Sequence, residues 1–292
     1  GGTVFTASGD GHVMWLTDAQ GWIIENIAFR HASGASGDGL RFDGTSSGNI
    51  VRICTITDNP GYGLAFVGGS GSPQSENNAE GNVILRNSSG NLYWEYSNDF
   101  YIVGNVIGGT IGGPYPTFGS NLLHSSQGLY QGNEHWDQTQ GAVFDTCLGL
   151  RIIGNRFEQS RNEGVYFTTC DRILFSSNVC HTNSKSATGT YAQVKITDTT
   201  QSVFGLTKMF SENAGSYQTS YGFQCTGTTN NVQFTGNDID DYVTARISVG
   251  SATAYSIVDR VQAYLTADSA STAVGVTVNN PSTTDFHGDR KS

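Results

Sequence analysis

Gly141-Ala142-Val143-Phe144-Asp145-Thr146-Cys147 is answered by Gly164-Val165-Tyr166-Phe167-Thr168-Thr169-Cys170; the two runs begin at 141 and 164, so every pair lies 23 positions apart. Gly132-Asn133, Gly154-Asn155 and Ser177-Asn178 recur in the same register, at offsets of 22 and 23. A period in the twenties, with glycine turns, β-rich runs and no helical pattern between them, is the signature of a solenoid. Equivalent residues of successive coils then stack in columns, so the repeat also says which side chains are neighbours.

The same glycine-led run recurs along the chain as Gly39-Leu40-Arg41-Phe42-Asp43, Gly63-Leu64-Ala65-Phe66-Val67, Asn91-Leu92-Tyr93-Trp94-Glu95, Asn121-Leu122-Leu123-His124, Gln193-Val194-Lys195-Ile196 and Gly222-Phe223-Gln224-Cys225. Period-two alternation sends Leu40/Phe42, Leu64/Phe66, Leu92/Trp94, Ala142/Phe144, Val165/Phe167 and Val194/Ile196 inward. It sends Arg41, Tyr93, Val143, Tyr166 and Lys195 outward, with Asp43, Glu95, Asp145 and Thr168. His124 falls in the inward phase.

A second set of runs, such as Phe100-Tyr101-Ile102-Val103 and Leu150-Arg151-Ile152-Ile153, ends in Gly-Asn or Ser-Asn with an apolar residue two places on. The predicted fold is all-β, a parallel β-helix over residues 1–250, with about 8–10 coils of roughly 21–30 residues. Residues 251–292 read as an irregular final coil or C-terminal cap. Asn105, Asn133, Asn155, Asn178 and Asn237 form a hydrogen-bonding corner ladder. Insertions at 68–81, 108–119 and 184–190 are expected to emerge from one face.

Composition agrees. The 292 residues include 38 Gly but only 5 Pro, which suits many short strands with tight corners. The net charge of −10 argues against a basic nucleic-acid surface. No stretch is long and apolar enough to span a membrane, and no zinc-ligand spacing is present. The 5 Cys are odd in number; Cys147 and Cys170 should be stacked neighbours, as buried thiols or, second, as a disulfide. The chain opens Gly1-Gly2 rather than with Met, which reads as a fragment.

Ile23-Ile24-Glu25-Asn26-Ile27-Ala28-Phe29, Gly39-Leu40-Arg41-Phe42 and Arg151-Ile152-Ile153-Gly154-Asn155-Arg156-Phe157 resemble coils of the pectate-lyase-like right-handed β-helices. With Gly/Ser/Asn corners, insertions and an acidic balance, residues 20 to 245 look most like the phage tailspike and capsule-depolymerase branch. That resemblance implies a homotrimer on a virion tail, extracellular, which binds and often cleaves a bacterial surface polysaccharide. No stretch matches the calcium-binding aspartates or catalytic arginine of pectate lyases, or the Asp-Pro-His signature of alginate epimerases. No metal or other cofactor is expected.

Two columns are candidate sites. Glu134, His135, Trp136 and Asp137 form the densest polar cluster, and Trp136, Glu158, His181 and Asp240 each stand third after a ladder asparagine. Glycoside hydrolysis needs two carboxyls flanking the scissile bond. Glu134, Asp137 and Glu158 are expected to converge, with Glu158 as general acid and Asp137 as base, while Trp136 and His181 bind sugar. The other column is the outward face of the first strands. There Tyr93, Glu95, Asp145, Tyr166 and Lys195 suit a glycan groove, with Ser125 between the two acids. Tyr166 or Lys195 would be the base of a polysaccharide lyase, the alternative chemistry. A glycan-binding tail-fibre domain without turnover is the non-enzymatic alternative.

Overall fold

A computed structural model describes residues 3–7, 11–211, 217–240 and 242–250, and the backbone of 254–258 and 265–267. The chain winds into an all-β solenoid of about nine turns. Three parallel sheets of 11, 10 and 10 strands run its length. The first holds the glycine-led strands, such as Gly90–Glu95, Phe118–Leu123, Gln140–Asp145 and Val165–Thr168. The second holds Tyr101–Val103, Leu129–Gln131 and Arg151–Ile153. The third holds Val106–Gly108, Glu134–Trp136, Arg156–Glu158 and Val179–His181. Strands pair with their equivalents one coil away, in register except for shifts at Thr219/Tyr221 and Asn230/Val232, and the solenoid is right-handed.

Apolar side chains at alternate positions fill the axis. Every inward pair read from the glycine-led runs is buried. Phe42 and Phe66 stack with centroids 4.4 Å apart, Phe66 meets Trp94 at 4.1 Å, and Phe144 meets Phe167 at 5.1 Å. The coil spacing of about 4.8 Å is itself a ring-stacking distance, so aromatic residues in equivalent positions pack without rearrangement. Burying each such side chain stabilises the fold by about 1.5–3 kcal/mol.

A single left-handed residue turns each corner between the second and third sheets. The residues are Asn26, Ile53, Gly81, Gly104, Gly132, Gly154, Ser177, Leu206 and Gly236, all with positive φ. The ladder follows immediately. Asn105 Nδ2 donates to Asn133 Oδ1 (2.9 Å), Asn133 to Asn155 (3.1 Å) and Asn155 to Asn178 (3.0 Å), and each backbone N–H donates to the same next oxygen. Asn82 extends it at the front. Asn237 stands in the same column, reached through the Thr207 amide. A second ladder, Asn59–Asn87–Asn91, lines the corner from the third sheet to the first.

All five cysteines are buried free thiols. Cys147 and Cys170 stand where other coils carry Ser97, Ser125 and Thr199, and each thiol hydrogen-bonds a carbonyl as a hydroxyl would. One polar network crosses the axis. Ser120 Oγ lies 2.8 Å from Tyr130 Oη, which also hydrogen-bonds His135 Nε2. The three side chains come from the three different sheets. Burial pushes the His135 imidazole down to about 3 and the Tyr130 phenol up, so both are neutral.

Two expectations are corrected. His124 is not interior: it is exposed, adopts a φ of 50° and stacks on Tyr96 at 4.6 Å. Its left-handed backbone ends the alternation that would have turned it inward. The three insertions also do not share one face. Those after Gly108 and His181 leave the corner between the third and first sheets, where Arg161 covers the Tyr115 ring at 4.6 Å. The insertion after Val67 leaves the corner between the first and second. Strands Ala254–Val258 and Leu265–Ala267 add further rungs past residue 250; residues 268–292 lie outside the described residues.

Two predictions follow from corner and axis. Ile53 and Leu206 hold φ of 54° and 50° with side chains 60% and 66% exposed. A left-handed residue with a Cβ costs about 1–2 kcal/mol. Ile53→Gly and Leu206→Gly should each raise stability by about 1 kcal/mol in urea unfolding, after the greater unfolded-state entropy of glycine is subtracted. His135 titrates lower folded than unfolded, so its contribution is present above its ordinary value near 6.5 and is lost as pH falls toward about 3. Over that window wild type should lose about 1.4 kcal/mol per pH unit relative to His135→Phe. Parallel stability curves for the two proteins would refute this.

Candidate functional site

Strand Arg156–Glu158 lies between Glu134–Trp136 and Val179–His181. His135, Phe157 and Cys180 are buried inward. The outward columns are therefore Glu134–Arg156–Val179 and Trp136–Glu158–His181–Phe210. Arg156 bridges the acids: Nη2 is 2.5 Å from Glu158 Oε2 and Nη1 is 3.5 Å from Glu134 Oε1. His181 Nε2 lies 2.5 Å from the same Glu158 oxygen and 3.1 Å from Arg156 Nε. Guanidinium nitrogens only donate, so Arg156 Nε donates to the imidazole Nε2. His181 also stacks flat on Phe210 at 4.8 Å.

Glu158 is largely enclosed, its side chain 10% exposed, whereas that of Glu134 is 42% exposed. Trp136 lies against the preceding coil, where Gly108 leaves room for the indole; a Cβ there would strike the ring. Phe210, rather than Asp240, follows His181 in the column.

Asp137 does not join this group. With a φ of 51° it turns the corner after Trp136, and its buried carboxylate accepts from Lys185 Nζ at 2.8 Å. Lys185 reaches across from the insertion after His181 and also meets Gln159 Oε1 at 3.4 Å. Of the three acids expected to converge, Glu134 and Glu158 share Arg156 and Asp137 is held by Lys185. One left-handed residue suffices to redirect the side chain.

The outward face of the first sheet is a second site. One column runs Arg41–Ala65–Tyr93–Asn121–Val143–Tyr166–Lys195–Gln224. The next runs Asp43–Val67–Glu95–Leu123–Asp145. Leu123, not Ser125, stands between Glu95 and Asp145; Ser125 is buried at the corner, donating to the Leu123 carbonyl. Tyr93 Oη donates to Glu95 Oε2 at 2.9 Å, and its ring stacks on Tyr62 at 4.6 Å. Burial raises both phenols, that of Tyr93 further through Glu95. Farther along, Lys195 Nζ lies over the Tyr166 ring at 5.0 Å and 3.7 Å from Glu163 Oε1, and Gln140 Nε2 donates to Glu163 Oε2 at 3.4 Å.

Tyr62, Asn121, Gln140 and Glu163 escaped the sequence reading. Strict alternation from Leu64, Ala142 and Val165 would place Tyr62, Gln140 and Glu163 inward. The alternation breaks at the intervening glycine: a Cβ on Gly63 or Gly164 would meet interior or corner side chains, so the residue before it faces out. The recurring glycine was the available signal. Among the described residues no three His, Cys, Asp or Glu side chains gather to hold a metal ion. No described helix is long and apolar enough to cross a membrane.

Comparisons with known proteins agree with this architecture. The family described as "Right handed beta helix region" matches residues 3–107. Full-length tailspike protein 2 from the Escherichia coli O157:H7 bacteriophage CAB120 is similar in structure, with a TM-score of 0.64 at 14% identity, over 78% of this chain and 34% of that one. The enzymatically active domain of tailspike protein 2 from bacteriophage CBA120 gives 0.61 at 12% identity, over 76% and 38%. A DFA-IIIase variant from Arthrobacter chlorophenolicus A6 gives 0.51 at 14%, over 84% and 60%. At such identities the likeness is one of fold. The chain is thus a right-handed parallel β-helix whose structural neighbours include phage tailspike proteins. It spans little more than a third of the length of those tailspike chains. No curated protein matches its sequence.

The Lys185–Asp137 pair makes a direct prediction. The Asp137 side chain is 1% exposed, and removing one partner of a buried pair costs about 3–5 kcal/mol. Lys185→Met should lower unfolding free energy by about that amount, and adding Asp137→Asn should restore part of it. Additive effects in this double-mutant cycle would show that the contact is not energetically coupled.

Proposed function

We propose that this chain is the β-helix domain of a phage tailspike-type protein that binds and hydrolyses a bacterial surface polysaccharide. The observation that carries the reading is the outward strip of the first sheet. Tyrosine rings, carboxylates, amides and Lys195 occupy adjacent columns. From Arg41 to Gln224 the strip runs seven coil steps, roughly 34 Å at the usual strand spacing. Rings that stack on sugar faces, beside hydrogen-bonding groups repeated along one axis, suit a polymer. The fold likeness to tailspike protein 2 supports the same reading. A homotrimer at the virion tail, acting outside the host cell, accompanies it.

Hydrolysis is assigned to Glu158 and Glu134. Glu158, enclosed and oriented by His181 and Arg156, serves as the acid in its protonated form, passing its proton to the leaving oxygen. Glu134, the more exposed carboxylate on the same guanidinium, activates water. Asp137 is committed to Lys185 and supports the corner instead. The strand Arg156–Glu158 leads through this corner into Val165–Thr168, whose Tyr166 lies on the strip. Trp136 flanks the acids as a sugar contact, whereas His181, expected to bind sugar, is only 1% exposed and positions Glu158 from beneath. A lyase is the second reading, favoured by Lys195 standing over Tyr166.

Incubation with purified capsule and O-antigen polysaccharides tests this. New reducing ends without the ultraviolet absorbance of unsaturated sugars are expected. Glu158→Gln and Glu134→Gln should each slow their release by about 10²-fold or more. Folded Asp137→Asn should stay within a few-fold of wild type. Unsaturated ends lost in Tyr166→Phe or Lys195→Ala would establish the lyase. Binding without new ends would leave a non-catalytic spike.

A further inference from the structure

On the first-sheet strip, the Asn121 side chain is in an unusual position for an amide on an outward column. The residue is 8% exposed, flanked in its column by Tyr93 and Val143. Its amide lies close enough to the Tyr62 hydroxyl to offset part of the upward push that burial gives that phenol. Its Oδ1 finds no hydrogen-bond partner among the described residues. A buried carbonyl left without a donor costs free energy, and here it sits beside the stacked Tyr62–Tyr93 pair and the Glu95 carboxylate.

The acids of the next column that lack an ion-pair partner have one sign. Glu95 accepts from Tyr93 and Asp145 from Thr146, both hydroxyls. Neither acid has a lysine, arginine or histidine within ion-pair distance among the described residues. They stand two coils apart, about 9–10 Å, close to the screening length at physiological salt. Asp43, farther along the column, is by contrast neutralised by Arg41 at 2.8 Å.

We infer that Tyr62, Tyr93, Glu95 and Asn121 form a subsite for a neutral, hydroxyl-bearing sugar unit, and that Glu95 with Asp145 excludes polyanionic glycans. The inference rests on the glycan-binding reading above and narrows its substrate class. The paired rings offer an apolar shelf for the C–H face of a pyranose. Asn121 Oδ1 and the Glu95 carboxylate are both acceptors, so the ligand must bring donors. Sugar hydroxyls and acetamido N–H groups supply them; the ionised carboxylates of uronates and sialates, and phosphates, offer only acceptors there and add repulsion.

The test is calorimetric binding of the intact chain to two probe sets: neutral O-antigen polysaccharides, and uronate- or sialate-bearing capsular polysaccharides. Binding confined to the neutral set is expected. Folded Asn121→Ala should weaken it about three- to tenfold, the loss of one hydrogen bond. Because Asn121 is buried, the surface pair Glu95→Gln with Asp145→Asn provides a second arm. It should admit anionic glycans at low salt. Preference for the anionic set by wild type overturns the subsite but leaves the glycan-binding reading standing. Unchanged affinity in folded Asn121→Ala, or continued exclusion of anionic glycans by the double variant, also overturns the subsite alone. Binding of neither set overturns both.

Discussion

In-register parallel pairing is the constraint on which this molecule depends. Each residue has its own equivalent as neighbour, one coil away on either side. Whatever occupies a column must therefore tolerate stacking on something in the same position. Asparagine does so by passing a hydrogen bond along the axis. Aromatic rings do so because the coil spacing is close to their contact distance. Buried thiols replace hydroxyls in one corner column with the same carbonyl acceptors.

Charge is what such a lattice tolerates least, and its placement reflects that. Glu134 is followed one coil later by Arg156, and Lys208 by Asp238. On the first sheet Glu95 and Asp145 are kept apart by Leu123. Both candidate sites are therefore local departures from like-on-like stacking. At one, acid, guanidinium and imidazole converge on a single carboxylate oxygen. At the other, acceptors and rings alternate along a face. Corner loops add a further layer, since Lys185 crosses from its insertion to a buried acid two coils earlier.

The repeat around Cys147 and Cys170 was enough to read the architecture, the inward residues of the first strands and the asparagine ladder. A period and an alternation are properties of the chain itself, and backbone pairing carries them directly into space. Reading failed where a single backbone angle interrupts the alternation. His124 and Asp137 adopt left-handed conformations that carry most side chains at a cost, and each side chain leaves the face assigned to it. Glycines at 63 and 164 break the phase in the other direction, turning Tyr62 and Glu163 onto the outward side.

The sequence by itself determined the solenoid and the columns in which chemistry must be sought, because period and hydrophobic alternation are encoded locally; that the coil has three sides came from the structure. Only the tertiary structure decided which polar groups meet. Arg156 joins Glu134 to Glu158, Lys185 claims Asp137, and Asn121 is left with an unanswered acceptor beside Tyr93. Those outcomes depend on corner geometry and side-chain reach across coils, where one dihedral angle outweighs any regularity in the repeat.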